Sequence, residues 1–484
     1  MKILTLILTL IISEIIMSQN FDFEQNLYQS YERYKENTLT NRRFKHADIL
    51  PLTEKLKHKQ GFTVKKVGES AEGRELNLIS FGTGKTKVFL WSQMHGDEST
   101  ATAALFDIFN YLSDPSNKEL CDYLSNKVSL YFLPMVNPDG AERFKRRNLY
   151  DIDLNRDAAR LQTPEAIVLK NVFDSLKADF GFNLHDQDHR YSVGNSFRSA
   201  TLSLLAPAYN YEKDINNVRE KSVQVIGNLF EMLSQFIPGH IAKYSDDFEP
   251  RAFGDNFQKW GTSTILIESG GWKNDPEKQF IRKLNFIALL SVIKTIADES
   301  YVNTSKEIYN SIPFNDKYIF DVIIRNVQIE YGERKIKVDI AINLDETGNS
   351  DGKSFYFRSQ VADLGDLSTF YGYKDLDFNG YTIQKAETYT DKIFNLNDLK
   401  NLDLYDIYKK GCANILVDKL PEGRFSDLPI NLATTNRIDT TINLDEPANF
   451  ILKKDGNVEY IIINGFIHKI DQNRKFEGNG ILIR

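Results

Sequence analysis

From residue 87 onward the chain repeats one grammar, and that grammar leaves few folds open. A short, nearly unbroken apolar run is followed by a polar cluster and then by apolar residues at helical spacing; the runs lie at 87–92, 128–134, 180–184 and 263–267. A strand with water on one face alternates apolar and polar residues. A strand that is apolar throughout is covered on both faces, as in parallel sheets flanked by helices. Leu105, Ile108, Phe109 and Leu112 fall at i, i+3, i+4 and i+7, the stripe of an amphipathic helix. Further helices are expected at 163–177 (Ile167, Val168, Val172 and Leu176 on one side), 216–236 and 278–296. An alternating segment at 64–79, turning at its glycines, reads as an antiparallel hairpin. The expectation is an α/β fold: a doubly wound, mixed and mostly parallel sheet with helices on both faces.

The polar clusters sit where such a sheet collects ligands, at the carboxyl ends of its strands. The first is His95-Gly96-Asp97-Glu98, and His185 and Glu268 follow two of the later runs. A catalytic zinc takes three nitrogen or oxygen ligands and keeps one position open for water. His95, Glu98 and His185 supply that set for one Zn2+ ion; His189 is the rival third ligand, and placement at a strand end favours His185. Glu268, beside Gly270-Gly271, is the candidate general base, with the glycines read as leaving room for substrate. A developing oxyanion needs a further cation. Arg147 is the candidate, with Arg146 as the alternative. Arg156 can fork onto a terminal carboxylate and Asn155 can add a hydrogen bond.

Composition sets the outer bounds. The chain has 484 residues, which is more than one ordinary domain, and its 41% hydrophobic and 26% charged content is that of a globular protein. A net charge of −7 argues against a nucleic-acid partner, which wants a basic face. Lys2 followed by the apolar stretch 3–12 reads as a signal peptide ending near Ser18, too short to span a bilayer, so the mature chain is expected to be secreted or periplasmic. The two cysteines, Cys121 and Cys412, are far apart and are expected not to pair. After residue 301 the pattern changes to short alternating strands with Asn-Gly turns at 379–380 and 464–465, read as antiparallel hairpins. The expected layout is 1–18 leader, 19–300 α/β domain and 301–484 a β-rich region.

Taken together, Gly68-x-Ser70-x-Glu72-Gly73-Arg74, His95-Gly-Asp-Glu98, the tight-turn sequence Asn137-Pro-Asp-Gly140, Arg147 ahead of Asp153-Leu-Asn155-Arg156, His185 and Glu268 resemble the zinc metallocarboxypeptidases of the carboxypeptidase A type, over about residues 25–300. The resemblance implies an exopeptidase acting on peptides with a free C-terminal carboxylate. It assigns His95, Glu98 and His185 to the metal, Glu268 to the base, Arg147 to the oxyanion, and Asn155 and Arg156 to the carboxylate. The capping tyrosine of such enzymes has only an off-register counterpart in Tyr244, with Arg251 or Asn256 as substitutes. Acidic Asp186 and Asp255 would favour basic terminal residues. Two other readings stand beside this one: a zinc amidase acting on N-acyl amino acids or cell-wall peptides, and a non-catalytic peptide- or glycan-binding protein.

Overall fold

The computed structural model describes residues 22–436, 441–471 and 475–484, so the leader expected at 1–18 lies outside the described residues. The chain divides into two compact units: the residues up to Gly194 together with Arg198–Lys317, and Tyr318–Arg484 with Asn195–Phe197. The first unit runs past residue 300 because Tyr301, Tyr309 and Ile312 are buried in its core.

Among the described residues the first unit holds ten strands: β1 (Phe62–Glu69), β2 (Glu75–Phe81), β3 (Thr86–Ser92), β4 (Val128–Leu133), β5 (Phe180–Asp186), β6 (Ser192–Val193), β7 (Leu202–Leu205), β8 (Ile241–Lys243), β9 (Ser263–Ser269) and β10 (Asn315–Asp316). Its α-helices are α1 (22–34), α2 (His46–Leu56), α3 (Thr100–Ser113), α4 (Lys118–Lys127), α5 (Pro138–Arg143), α6 (Pro164–Leu176), α7 (Asn217–Leu233), α8 (Phe253–Lys259), α9 (Gln279–Ala297) and α10 (Lys306–Ser311). All but β6 and β10, which pair with each other, form one sheet in the order β1-β2-β4-β3-β5-β9-β7-β8. The β4-β3-β5-β9 centre is parallel, and the β1-β2-β4 and β9-β7 pairings are antiparallel. The mixed, mostly parallel sheet is as expected.

Side chains of a strand point alternately to its two faces, and β3 shows why its run is apolar throughout. Val88 and Leu90 enter the core beneath α1, α3, α7 and α9, while Phe89 and Trp91 enter a second core beneath α6 and α8. Each large side chain fully buried this way stabilises the fold by about 1.5–3 kcal/mol. Ile167 departs from expectation. It is 43% exposed, and the buried face of α6 is Val168, Leu169, Val172, Phe173 and Leu176. Asn137-Pro-Asp-Gly140 is the start of α5 rather than a tight turn, with the Asn137 side chain accepting from the Gly140 amide. On the other face, Arg282 of α9 pairs with the fully buried Asp107 of α3, which also accepts from Tyr31 of α1. That pair fastens the amino-terminal segment to the helical layer.

The second unit is β-rich. Its larger sheet contains antiparallel pairs such as Ile319–Tyr331 with Arg334–Gly348 and Phe450–Lys454 with Asn457–Ile463. Asn464-Gly465 closes the expected hairpin with both residues at positive φ, but Asn379-Gly380 joins two strands that each lie parallel to Ile319–Tyr331. The smaller sheet departs further from antiparallel pairing: Glu387–Phe394, Cys412–Val417, Asn431–Ala433 and Gly480–Ile483 run parallel. Parallel neighbours need a crossover, and the helix Leu404–Lys409 supplies the first. Cys121 and Cys412 are both free and buried, one in each unit. Among the described residues no helix is long and apolar enough to cross a membrane.

Candidate metal centre

The turn after β3 is shaped by backbone contacts. Gln93 takes a positive φ, its side-chain amide donates to the Gly96 carbonyl at 2.9 Å, and the Gly96 amide donates to the Arg146 carbonyl. A Cβ on Gly96 would lie 2.1 Å from the backbone carbon of Gly140, so only glycine lets the turn lie against α5. This packing sets His95 and Glu98 on either side of a bend that leads into α3. His185 and Glu268 arrive by register. They are direct partners across the parallel β5–β9 pair, next to the carboxyl ends of both strands. Their parity places them on the α6/α8 face, opposite to Phe182, Leu184, Ile265 and Ile267.

The three candidate ligands converge. His95 Nδ1 lies 2.7 Å from Glu98 Oε1, and His185 Nδ1 lies 2.6 Å from Glu98 Oε2. One donor atom from each residue falls within 4.8 Å of the others, and all three side chains are buried. Two imidazole nitrogens and one carboxylate oxygen, closely set and buried, are the donor set a zinc ion takes. His95 Nε2 lies 3.1 Å from Asp153 Oδ1. Each ring nitrogen thus faces a carboxylate; with an ion held at Nδ1, the Nε2–H would donate to Asp153 and fix the ring. Asp153 also accepts from the Asn155 amide at 2.9 Å, and Asn155 Oδ1 accepts from the Phe253 amide of α8 at 2.9 Å.

The electrostatics follow from burial and crowding. Burial would depress the His95 imidazolium, but the charges of Glu98 and Asp153 outweigh it and hold its pKa up at about 9. Burial depresses His185, which has only Glu98 to oppose it. Burial and the neighbouring Glu98 charge push the Glu268 carboxyl well above the ordinary carboxylate range. A carboxylate so placed accepts a proton more readily than an exposed one.

Not every residue singled out in the sequence lies at the cluster. Arg147 is exposed and donates to the Asp151 carbonyl at 2.9 Å, away from the cluster. The guanidinium beside the cluster is that of Arg146, with Nη1 3.1 Å from Glu98 Oε1 and Nε 3.1 Å from Asp153 Oδ2. The reason is local: residues 143–147 leave α5 through a left-handed Phe144, and Arg146 is the basic residue whose carbonyl is bonded back to Gly96. Arg156 is exposed, with Nη1 on the Asn155 carbonyl at 2.7 Å and Nε 3.3 Å from Glu249 Oε2. His189 is half-buried beside Asp188 and takes no part in the cluster. Tyr244 directly follows β8, and its phenol is pushed up by burial and then by the charge of Glu268, with Glu98 and Arg146 also within electrostatic reach. Arg251 forks onto Glu249, and Asn256 is buried with its amide on the Pro250 and Ala252 carbonyls.

The Asp186 side chain is only 6% exposed and is bonded to Thr100 and Lys278, so it does not line an open cleft. Asp255 accepts from the Glu249 amide, and burial pushes its carboxyl up to about 7. Gly270 leaves no room for substrate either: a Cβ there would lie 2.1 Å from the Ala200 carbonyl oxygen. Sequence reasoning missed Asp153, although its place two residues before Asn155 in the Asp-Leu-Asn-Arg motif was visible.

Comparison with known proteins agrees with this chemistry. Residues 52–205 match the family model described as zinc carboxypeptidase. Carboxypeptidase E of Caenorhabditis elegans is 31% identical over 169 residues, which is 30% of this chain and 36% of the relative. An uncharacterized protein of Zymomonas mobilis is 25% identical over 227 residues, 46% of this chain and 53% of its own. The chain thus spans about half, or less, of the length of these relatives. Among solved structures, a metallo-carboxypeptidase from Burkholderia cenocepacia is similar over 53% of this chain and 70% of that chain, with 15% identity and a TM-score of 0.44.

Proposed function

Residues 52–205 belong to the zinc carboxypeptidase family, and from that premise we propose that the chain is a secreted zinc-dependent carboxypeptidase that hydrolyses C-terminal peptide bonds. The observation that carries the reading is the convergence of His95, Glu98 and His185 with Glu268 in register beside His185. A zinc ion held by the three ligands supplies a Lewis acid for the scissile carbonyl and a water of lowered pKa. Glu268 takes the proton of the attacking water and delivers it to the leaving amine, a task its raised pKa suits. Arg146 stabilises the charge that develops on the carbonyl oxygen, the role expected of Arg147. Asp153 keeps His95 oriented. Arg156 and Asn155 bind the terminal carboxylate. Tyr244 closes over the bound substrate, supported by its electrostatic proximity to Glu268.

One observation keeps the amidase alternative in view: the Glu249 carboxylate already lies against Arg156. A single assay separates the two. Blocked dipeptides, their C-terminal amides and N-acyl amino acids are offered side by side, with metal analysis of the same sample. The expected result is hydrolysis of the free-acid peptides only, abolished by a chelator and restored by zinc. Hydrolysis of the acyl amino acids alone would instead establish the amidase. Export is tested by the mass of the mature protein, expected to begin at Gln19.

A further inference from the structure

We infer that Lys278 is a positioning residue of this site, a buried cation that fastens together the ends of the strands carrying His185 and Glu268. The inference rests on the roles proposed above for those two residues.

Local rules do not account for a lysine at this position. Lys278 precedes α9, at its N-cap, in a left-handed conformation with φ of +50°, and its side chain caps nothing. That conformation costs a non-glycine residue roughly 1–2 kcal/mol, and lysine is not a capping residue. It is also only 8% exposed, where lysine is almost never found unpaired.

The destination of its side chain supplies the reason. Nζ donates to the Ser269 carbonyl at 2.8 Å, to Asp186 Oδ2 at 3.3 Å and to the Gln187 carbonyl at 3.3 Å. An ammonium group has three donors, and here each has an acceptor at a strand end. Asp186 and Ser269 are themselves register partners, one step beyond the His185–Glu268 pair.

The connection extends to the third ligand. The Asp186 amide donates to Glu98 Oε2 at 3.2 Å, and Asp186 Oδ2 also accepts from Thr100 Oγ1 at 2.6 Å. Thr100 opens α3, two residues after Glu98. One ammonium therefore bonds within one or two residues of His185 and Glu268 and connects through Asp186 to Glu98. Because Asp186 and Ser269 have opposite parity to His185 and Glu268, Lys278 acts from the α9 face of the sheet and touches neither substrate nor ion. Its own anchor is α9, which Arg282 locks to Asp107 of α3. The spacing between ligand and base is thus referred to packed helices rather than to a loop.

The test uses the full zinc-loaded chain in three forms: Lys278→Met, Lys278→Arg, and Lys278→Met with Asp186→Asn, which leaves no lone buried charge. Zinc transfer to a chromogenic chelator and the separate values of kcat and KM are measured, alongside Tm. Groups that orient ligands from behind are worth roughly 10–100-fold in metal affinity or activity. Lys278→Met and the double variant are each expected to release zinc at least tenfold faster and to lose at least tenfold in kcat with KM nearly unchanged. Lys278→Arg, which restores a cation and donors, is expected to recover most of both. A lower Tm with zinc release and kcat at wild-type values would make Lys278 a folding residue only and overturn the inference. If Lys278→Met does not fold, the double variant decides. The zinc-release arm does not depend on turnover, so a wild type inactive on peptides would sink the proposed function and leave this inference to be judged on metal retention.

Discussion

Arg146 and Arg147 are adjacent in sequence, and the structure predicts that exchanging either for glutamine has opposite consequences. Arg146 directs Nη1 and Nε at Glu98 and Asp153, both at 3.1 Å, which brings its positive charge to the rim of the metal cradle. Losing one preorganised donor at an oxyanion costs about 2.7–4 kcal/mol, or roughly 10²–10³ in kcat. The donor acts on charge that develops in the transition state, so kcat and kcat/KM fall together while KM holds. The side chain of Arg146 is 44% exposed, so its ion pairs are screened and contribute little to folding. Tm is therefore expected to move little. Arg147 bonds a single backbone carbonyl at the surface, and Arg147→Gln is expected to stay within about 0.5 kcal/mol in both stability and activation. The assay is steady-state kinetics on a blocked dipeptide, with zinc stoichiometry measured on the same protein, so that metal loss is not mistaken for a lost donor. A hundredfold loss in Arg147→Gln with Arg146→Gln near wild type would refute the assignment, and with it the reading of the loop after α5.

Two further outcomes follow from the same geometry. Asp153→Asn removes the charge that orients His95 and is expected to weaken zinc binding by roughly 10–100-fold in competition with a chelator; unchanged affinity would mean that the 3.1 Å contact does not bear on the metal. Arg143 and then Arg74 hold the Glu72 carboxyl down at about 2. A depressed folded pKa gives stability that is complete above the ordinary value near 4.5 and lost as pH falls toward 2. After allowance for screening it is worth about 1 kcal/mol, and Glu72→Gln should flatten that acid limb in a Tm-versus-pH series; an unaltered limb would show the cluster to be inert.

What was legible in the sequence was what periodicity and strand ends encode. The continuous apolar runs imply strands buried on both faces, and β3 divides its residues between two cores as that requires. His95, Glu98, His185 and Glu268 stand beside strand ends, and a sheet brings strand ends together whatever lies between them in the chain. Choosing between Arg146 and Arg147 was beyond this logic, because the outcome depends on the left-handed Phe144 and on which carbonyl bonds Gly96. The acidic specificity expected of Asp186 failed for a related reason: charge is visible in sequence, but a buried lysine ninety-two residues away is not. Ile167 misled because one exposed apolar residue on a helix does not disturb its periodicity. The smaller parallel sheet of the second unit was hidden because short strands read alike in either direction.

The contact between Gly96 and Gly140 bears on how this chain can change. The ligand turn meets α5 main chain on main chain at Gly140, and the Gly96 amide donates to the Arg146 carbonyl. Substitutions of core side chains elsewhere do not remove that backbone contact. Tolerance is concentrated elsewhere and withdrawn here. A single methyl group at residue 96 would displace the histidine, the glutamate and the guanidinium together, so the chain can drift widely in composition while this one crossing stays closed to every residue larger than hydrogen.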